Sequence, residues 1–428
     1  MLRSLTLAFS MALAASLPAL AQDGPLKIEI TDGVTEPMAI AIPAFHGDAA
    51  VAQQIRDVVA ADLTGTGLFR EISRDAQVAR PGSFGEAIAY EDWRAVNAQA
   101  LVSAEVTQGG DAISVKFRLY DVYAGQAQGD GMQFDARATD WRRAAHKIAD
   151  QIYARLTGEQ PYFDSRVAFV QETGPKDARI KRIGVMDYDG QNILWMTDSA
   201  SLVLAPQFSR DGRRLAYTSF DSGFPQIRVL DIATVSSRPL TQDANSMAFS
   251  PRFSPNGRWI VYSREQGGNT DIWLMDAASG AQRPLVQSPA IDTAPSFSPD
   301  GQRIVFESDR GGTQQLYVMG SNGGNAKRIS FGQGRYANPV WSPRGDLIAF
   351  IKMSGGQFYL GVIRPDGTGE RLITQAYHVE GPSWSPNGRV LTYFKEAPGG
   401  GRSSKIYTID ITGYNERQLP TPRDGSDP

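Results

Sequence analysis

The chain has 428 residues, 43 basic against 46 acidic, a formal net charge of -3 and no cysteine. That balance gives no electrostatic reason to bind nucleic acid, and the missing cysteines exclude disulfides and thiolate chemistry. A chain this long is expected to form two or three domains held together by core burial alone.

The first 21 residues read as a secretory signal peptide. Arg3 supplies a short positive start, "LTLAFSMALAASLPAL" is a mostly apolar run, and Ala19 to Ala21 form a small-residue cleavage site. Cleavage after Ala21 leaves Gln22 as the mature N-terminus. A membrane anchor needs about 20 apolar residues, whereas Ser10, Ser16 and Pro18 interrupt this run. No later stretch is apolar for long enough to span a bilayer, so the mature protein is expected to be soluble.

Residues up to 158 show no repeat and a mixed pattern. "MAIAIPAF" predicts a buried strand ending at Pro43, and "GDAAVAQQIRDVVAADL" predicts a helix. Its apolar stripe is Val51, Ile55, Val58 and Val59, with Arg56 and Asp57 outside it. "QALVSAEVTQ" and "DAISVKFRLYDVYAGQ" predict two strands joined at Gly109 and Gly110. "TDWRRAAHKIADQIYARLTGE" predicts a second helix, capped by Thr139 or Asp140, with Trp141, Ala145, Ile148 and Ile152 on its apolar face and Gly158 as its stop. Helices packed on one sheet make a small α/β domain over residues 34–158, with the boundary in "LTGEQPYFDS".

From 159 to 428 the chain repeats itself. Five phrases of the type "PSFSPDGQRIVF" open at Pro206, Pro251, Pro295, Pro339 and Pro382, at intervals of 45, 44, 44 and 43 residues. A period in the low forties fits four-stranded propeller blades. In the unit from Pro295, Pro299, Asp300 and Gly301 supply turn chemistry. "RIVFES" alternates like a half-buried strand, and "QLYVMG" and "AKRISF" follow across Gly-rich turns. Phe297, Ile304 and Phe306 are expected to fill the space between blades. Trp341 and Trp384 replace the inner-strand phenylalanine and read as core, as do Trp259 and Trp273. Ser165 to Asp198 contains three strands of the pattern without the opening phrase, so six blades are expected, the first without an inner strand. One more period after Pro382 falls near Pro428. The sequence therefore predicts either a truncated copy beginning at "GSDP" or a first blade open on its inside.

Catalytic patterns are absent. His46, His146 and His378 share no metal-ligand spacing, and His378, in "AYHVEG", reads as a solvated loop residue or a partner contact at the rim. "PGSFG" lacks the first glycine of a nucleophile elbow. "MDYDG" places Asp187 and Asp189 in one turn. Calcium needs six or more oxygens, so a hairpin turn is expected there rather than a metal. No catalytic residue, metal or cofactor is assigned.

A small N-terminal α/β domain, the segment "LKIEITDGVTEPMAIAIPAF" (Leu26 to Phe45) and "FSPDG…IxF…LYVMD" blades together resemble the TolB family of periplasmic Tol–Pal proteins over essentially the whole mature chain. The resemblance implies a non-enzymatic scaffold that binds the peptidoglycan-associated lipoprotein Pal through the propeller and TolA through the N-terminal region. Such a scaffold sits peripherally on the outer membrane through Pal and supports its integrity and its constriction at division. Other outer-membrane proteins and colicins are further implied partners.

For TolA it implies a switch segment, residues 22–33, with Gln22, Leu26, Ile28, Ile30, Asp32 and Gly33. For Pal it implies the propeller face where the chain enters each inner strand: Leu204 and Ala205, Met247, Phe249 and Ser250, Thr293 and Ala294, Ala337 and Asn338, Glu380 and Gly381, and His378. The sequence departs from the family pattern at Ala294, where an acidic residue is common, and near Met247, where a histidine is. The alternative is a stand-alone six-bladed propeller enzyme of the lactonase or dehydrogenase kind with a channel-bound cation. That reading requires charged residues converging on the channel mouth.

Overall fold

The structure is a computed structural model that describes residues 26–28, 36–76, 83–175, 178–396 and 403–428. Gln22, Ile30, Asp32 and Gly33 lie outside them, as does Ala21. Among the described residues no helix is long and apolar enough to cross a membrane.

The N-terminal part is a sheet with helices on both faces. Met38–Ala41 lies between Phe69–Glu71 and Ala100–Gly109, parallel to both. Ala100–Gly109 then pairs with Ala112–Asp121 in a long antiparallel hairpin, whose second strand is flanked by Met132–Arg137. Strand alternation sends Ile40 to one face and Ala39 and Ala41 to the other. Helices α1 (Ala49–Thr64) and α3 (Trp141–Thr157) cover the first face, and Trp93 of the short α2 (Tyr90–Ala95) covers the second. Asp48 caps α1 by accepting from the Val51 N–H, and α3 ends on Gly158 at φ 73°, the left-handed stop that glycine permits.

One helix expectation is corrected. Arg56 is not on the outer face of α1 but is buried. Its Nε donates to the Ile42 carbonyl (2.8 Å) and its guanidinium pairs with Glu71 and Asp57. A long side chain with two acidic partners can lie under a strand end, where hydropathy alone predicts solvent.

The second part is a six-bladed propeller, each blade four antiparallel strands. Blade 4 shows the pattern: Asp292–Phe297, Arg303–Ser308, Gln315–Gly320 and Lys327–Arg328, from axis to rim. The "SPDG" turn forms as its residues dictate. Gly301 sits at φ 72°, its N–H donates to the Ser298 carbonyl (2.9 Å), and Asp300 accepts from both the Ser298 hydroxyl and the Gln302 N–H. Ile304 and Phe306 are buried between blades and Phe297 packs against the same cluster. Trp341 is buried, whereas Trp259 and Trp273 are half-buried under the guanidinium groups of Arg258 and Arg264.

Two expectations about the inner strands are corrected. Blade 1 is not open on its inside: Asp424–Ser426 pairs antiparallel with Arg166–Thr173 and takes the innermost place. Nor do inner strands begin at the proline. Blade 4's begins at Asp292, three residues earlier, so the ladder starts upstream of the repeated phrase. The same phase explains blade 1, whose ladder residues precede Pro428.

Strand alternation also sorts the connections. Hairpin turns between first and second, and between third and fourth, strands all lie on one face of the disc. The loops leading into each inner strand lie on the opposite face. The α/β domain packs on the turn face. Arg344 pairs with Glu159, Asn387 Nδ2 donates to the Gln160 carbonyl (2.9 Å), and Asn415 Nδ2 donates to the Gly65 carbonyl (3.2 Å). The strand-start face is thereby left on the far side.

Removing Asp424–Pro428 is expected to destabilise the propeller by about 3 kcal/mol, roughly one per lost ladder hydrogen bond. Urea unfolding checks this; an unchanged midpoint would show that the closing strand contributes nothing.

Candidate functional site

Each inner strand carries the same irregularity, and it falls on the expected partner-contact residues. Ala205, Ser250, Ala294, Asn338 and Gly381 have φ between 49° and 64°, and each stands directly before a proline. Asp427, before Pro428, has φ 48° and completes a set of six. In blades 2 to 6 the ladder shifts register across the pair, as between Thr293 and Ser296, so each pair bulges out of the sheet. Proline has no N–H to offer the ladder, which makes the bulge a fitting place for it. The six prolines are buried and the residues before them half-buried. Left-handed backbone on five non-glycine residues costs roughly 1–2 kcal/mol each, so the collar is held by what surrounds it.

Part of that support comes from polar groups of the preceding blade. Ser263 Oγ accepts from the Ala294 N–H (3.1 Å), Glu307 Oε2 from the Asn338 N–H (2.8 Å), and Asp427 Oδ2 from the Ala205 N–H (3.4 Å). Burial raises the Glu307 carboxyl, against the Thr293 hydroxyl and Asn338 N–H that stabilise its charge. Burial raises Asp427 likewise. Arg252, just past the blade 3 bulge, donates to Gln207 Oε1 (2.7 Å), and desolvation lowers it to about 10. Glu307, Asp427 and Arg252 were not singled out in the sequence, and Asp427 could have been from its position before a proline. Glu307 and Asp427 brace backbone at the collar, which is a structural task.

The expected contact residues do gather on one face. Leu204, Phe249 and Thr293 are half-buried beside their bulges, and Met247 is exposed at the first position of its strand. His378 is not a solvated loop residue. It starts blade 6 and is half-buried edge-on to Phe358, with Nε2 3.2 Å from Glu380 Oε1 and Nδ1 3.4 Å from Glu396 Oε2.

The same face carries a rim of large apolar side chains. Leu202, Met247, Ile291, Phe331 and Tyr377, one each from the loops or strand starts of blades 2 to 6, are between 39% (Met247) and 68% (Phe331) exposed. Only Met247 was expected. The others stand one to four residues before the inner strands, upstream of the phrase that marks them.

The N-terminal segment is described for Leu26–Ile28 alone. Ile28 is buried, its N–H donates to the Leu156 carbonyl at the end of α3 (2.7 Å), and Gln128 Nε2 donates to the Leu26 carbonyl (2.8 Å).

On the turn face, α1, α3 and blade 1 share a buried polar seam. Asp62 accepts from His146 Nδ1 (2.7 Å) and from the Tyr188 hydroxyl (2.8 Å), across the domain junction. Burial opposes a charge on His146, but the carboxylates of Asp187 and Asp62 outweigh it and hold the ring up to about 10. Burial drives the Tyr188 hydroxyl well above its ordinary value.

Comparison with known proteins accords with this architecture. Residues 153–427 match the family model described as TolB beta propeller domain, and residues 26–128 match the TolB amino-terminal domain. The chain belongs to the TolB family. A relative named Tol-Pal system protein TolB, from Cereibacter sphaeroides, is 59% identical over 426 residues, 99% of this chain and 96% of that one. A second of that name, from Roseobacter denitrificans, is 56% identical over 228 residues, 52% of each chain. The crystal structure of TolB from Acinetobacter baumannii superposes with a TM-score of 0.83 at 26% identity, covering 94% of this chain and 98% of that one. In this chain the collar face and the N-terminal domain lie on opposite sides of the propeller.

Tyr188→Phe removes a donor from buried Asp62 and is expected to destabilise the protein by about 1–3 kcal/mol. Gly381→Ala, whose new Cβ would come within 3.3 Å of the Phe394 ring, is expected to cost about 1 kcal/mol from backbone strain. Denaturant unfolding of both variants checks these values; wild-type midpoints would contradict them.

Proposed function

We propose that the protein is a non-catalytic periplasmic scaffold of a Tol–Pal system. In this reading it is exported by cleavage after Ala21. It binds Pal on the strand-start face, TolA through residues 22–33, and reaches the outer membrane through Pal. Support comes from family membership, since its relatives carry the Tol–Pal name.

The observation that carries the Pal assignment is the apolar rim around the collar: Leu202, Met247, Ile291, Phe331 and Tyr377. Protein interfaces have cores depleted of charge and enriched in aromatic residues and methionine. Fully burying one large apolar side chain from water contributes about 1.5–3 kcal/mol; these five are 39–68% exposed, so covering them supplies roughly half of that each, an apolar centre for an interface with a folded partner. The rigid collar beneath them limits the ordering cost of binding. Leu204, Ala205, Phe249, Ser250, Thr293, Ala294, Asn338, His378 and Gly381 then form the floor.

The TolA assignment draws on the docking of Leu26 and Ile28 against α3. Among the described residues, two hydrogen bonds, from the Ile28 N–H to Leu156 and from Gln128 to the Leu26 carbonyl, and the buried Ile28 side chain hold the segment, few enough groups to suit one that exchanges partners.

Binding to a purified Pal peptidoglycan-binding domain tests the first half. Met247→Asp with Ile291→Asp is expected to weaken binding at least tenfold without changing the thermal midpoint, because both side chains are exposed; unchanged affinity would rule out this face. Deleting residues 22–33 is expected to abolish TolA binding while sparing Pal binding. If the deletion unfolds the propeller, the segment is ordinary structure.

A further inference from the structure

The sequence reads "MDYDG" as a hairpin turn with no metal, because calcium needs six or more oxygens and the turn places only two carboxylates together. The turn is there: the Gly190 N–H donates to the Asp187 carbonyl (2.9 Å), and the Asp187 N–H donates to the Gln191 carbonyl (2.8 Å). Folding then places it against His146 of α3. The ligand atoms of His146, Asp187 and Asp189 all lie within 4.8 Å of one another.

His146 is 2% exposed, and its two nitrogens have different surroundings. Nδ1 is fixed by Asp62, which also receives the Tyr188 hydroxyl. Nε2 is buried, has no hydrogen-bond partner, and is aimed at Asp187, whose Oδ2 is 3.9 Å away. That is too long for a hydrogen bond. A buried carboxylate orienting one nitrogen while the other faces carboxylates is how metal-binding histidines are held.

The charges around the gap are unbalanced. Asp62, Asp187 and Asp189 are in contact with one guanidinium, that of Arg142, and one imidazole, while the nearby Arg143 is bound to Asp164. One negative charge is left over even with the ring protonated. Arg142 serves the cluster incompletely: it pairs with Asp189, but its Nε is buried without a hydrogen-bond partner, 3.5 Å from Asp187 Oδ2. Asn192 Nδ2 (2.8 Å, to Asp187) and the Gln191 N–H (3.2 Å, to Asp189) orient the carboxylates.

We propose that His146, Asp187 and Asp189 form a divalent transition-metal site that staples the α/β domain to blade 1, with zinc as its best match. One imidazole and two carboxylates suit zinc better than calcium or magnesium, which prefer all-oxygen shells. The ion takes the place of the proton on Nε2. Bonds of roughly 2.0–2.2 Å to each donor bring donor atoms to about 3.4 Å from one another, so the two aspartates must close from 3.9 Å and up to 4.8 Å by side-chain rotation, and Arg142 must turn toward solvent. A chain without cysteine has no disulfide to fasten its domains, and this ion would do that work. The proposal is independent of which partners the protein binds.

The test is calorimetric titration of the purified, chelator-treated protein with Zn2+, with Mg2+ in parallel, and thermal unfolding with and without zinc. The expected result is one zinc per chain, a higher midpoint in zinc, and no comparable binding of Mg2+. His146→Gln and Asp189→Asn should each abolish that stoichiometric binding. Asp189 is at the edge of the seam, so its variant keeps the test valid if His146→Gln fails to fold. Asp62→Asn should weaken binding about 10- to 100-fold by releasing the ring. Failure of the wild type to bind zinc overturns the proposal. So does binding that appears only in Arg142→Ala, which would make the guanidinium the permanent occupant. Binding that survives both ligand variants places the ion elsewhere and also overturns it.

Discussion

One backbone conformation recurs at the centre of this molecule and fixes much of the rest: a left-handed residue immediately before a buried proline, six times around the axis. The residue ahead of a proline is normally driven to extended geometry, so each copy must be imposed by neighbours. The imposition is mutual, because side chains of one blade accept from the collar N–H of the next at Ala205, Ala294 and Asn338. In blades 2 to 6 the bulge moves two residues out of the ladder, and ordinary pairing resumes on either side. Glycine at Gly381 avoids the strain, whereas the other five positions carry it. Strain of this kind collects where a surface must keep one shape for recognition, and here it underlies the apolar rim.

Closure of the ring is the second constraint, and it makes blade 1 different in kind. Its innermost strand comes from the last residues of the chain and its other three from the first residues of the propeller. Unfolding blade 1 therefore requires separating segments some 250 positions apart, as the Ser426–Glu172 hydrogen bond illustrates (|i−j| = 254). Circular closure also leaves the inner edge of every blade short and turned toward the axis, where it is protected. The remaining edges are the short outer strands, only two residues long in blades 1, 4 and 6.

Much of this was legible in the sequence because it is local. Turn chemistry at Pro299, Asp300 and Gly301 needs only neighbours, and the alternation in "RIVFES" needs only a strand. The 44-residue period is itself a statement about stacked units. What could not be read is of two kinds. One is phase: the phrase begins conspicuously at proline, yet the ladder begins upstream, in residues that vary from copy to copy. That misplaced the strand starts, hid Leu202, Ile291, Phe331 and Tyr377, and made "GSDP" look like the start of a strand rather than most of one. The other is distance. Arg56 looks solvent-facing until Glu71 and the Ile42 carbonyl are brought to it. His146 looks like a helix residue until it and Tyr188, 84 and 126 positions from Asp62, converge on that one carboxylate.

Two features the sequence concealed, the seam by distance and the closing strand by phase, meet in blade 1. On the turn face it contributes Asp187, Tyr188 and Asp189 to the junction with α1 and α3. On the axis it contributes Asp427 to the collar, bonded to the first bulge of blade 2. Arg166–Thr173 lies between, paired to the closing strand on one side and to Ile180–Asp187 on the other. The α/β domain touches the turns of blades 5, 6 and 1 in the hydrogen bonds and ion pairs described, and of these only blade 1 is built from both ends of the propeller. A displacement of the seam must therefore move a strand whose ladder continues to the collar. Blade 1 is one hydrogen-bonded path between the two faces, alongside the inner strands of blades 5 and 6, which run from Asn338 and Gly381 to the turns of Arg344 and Asn387.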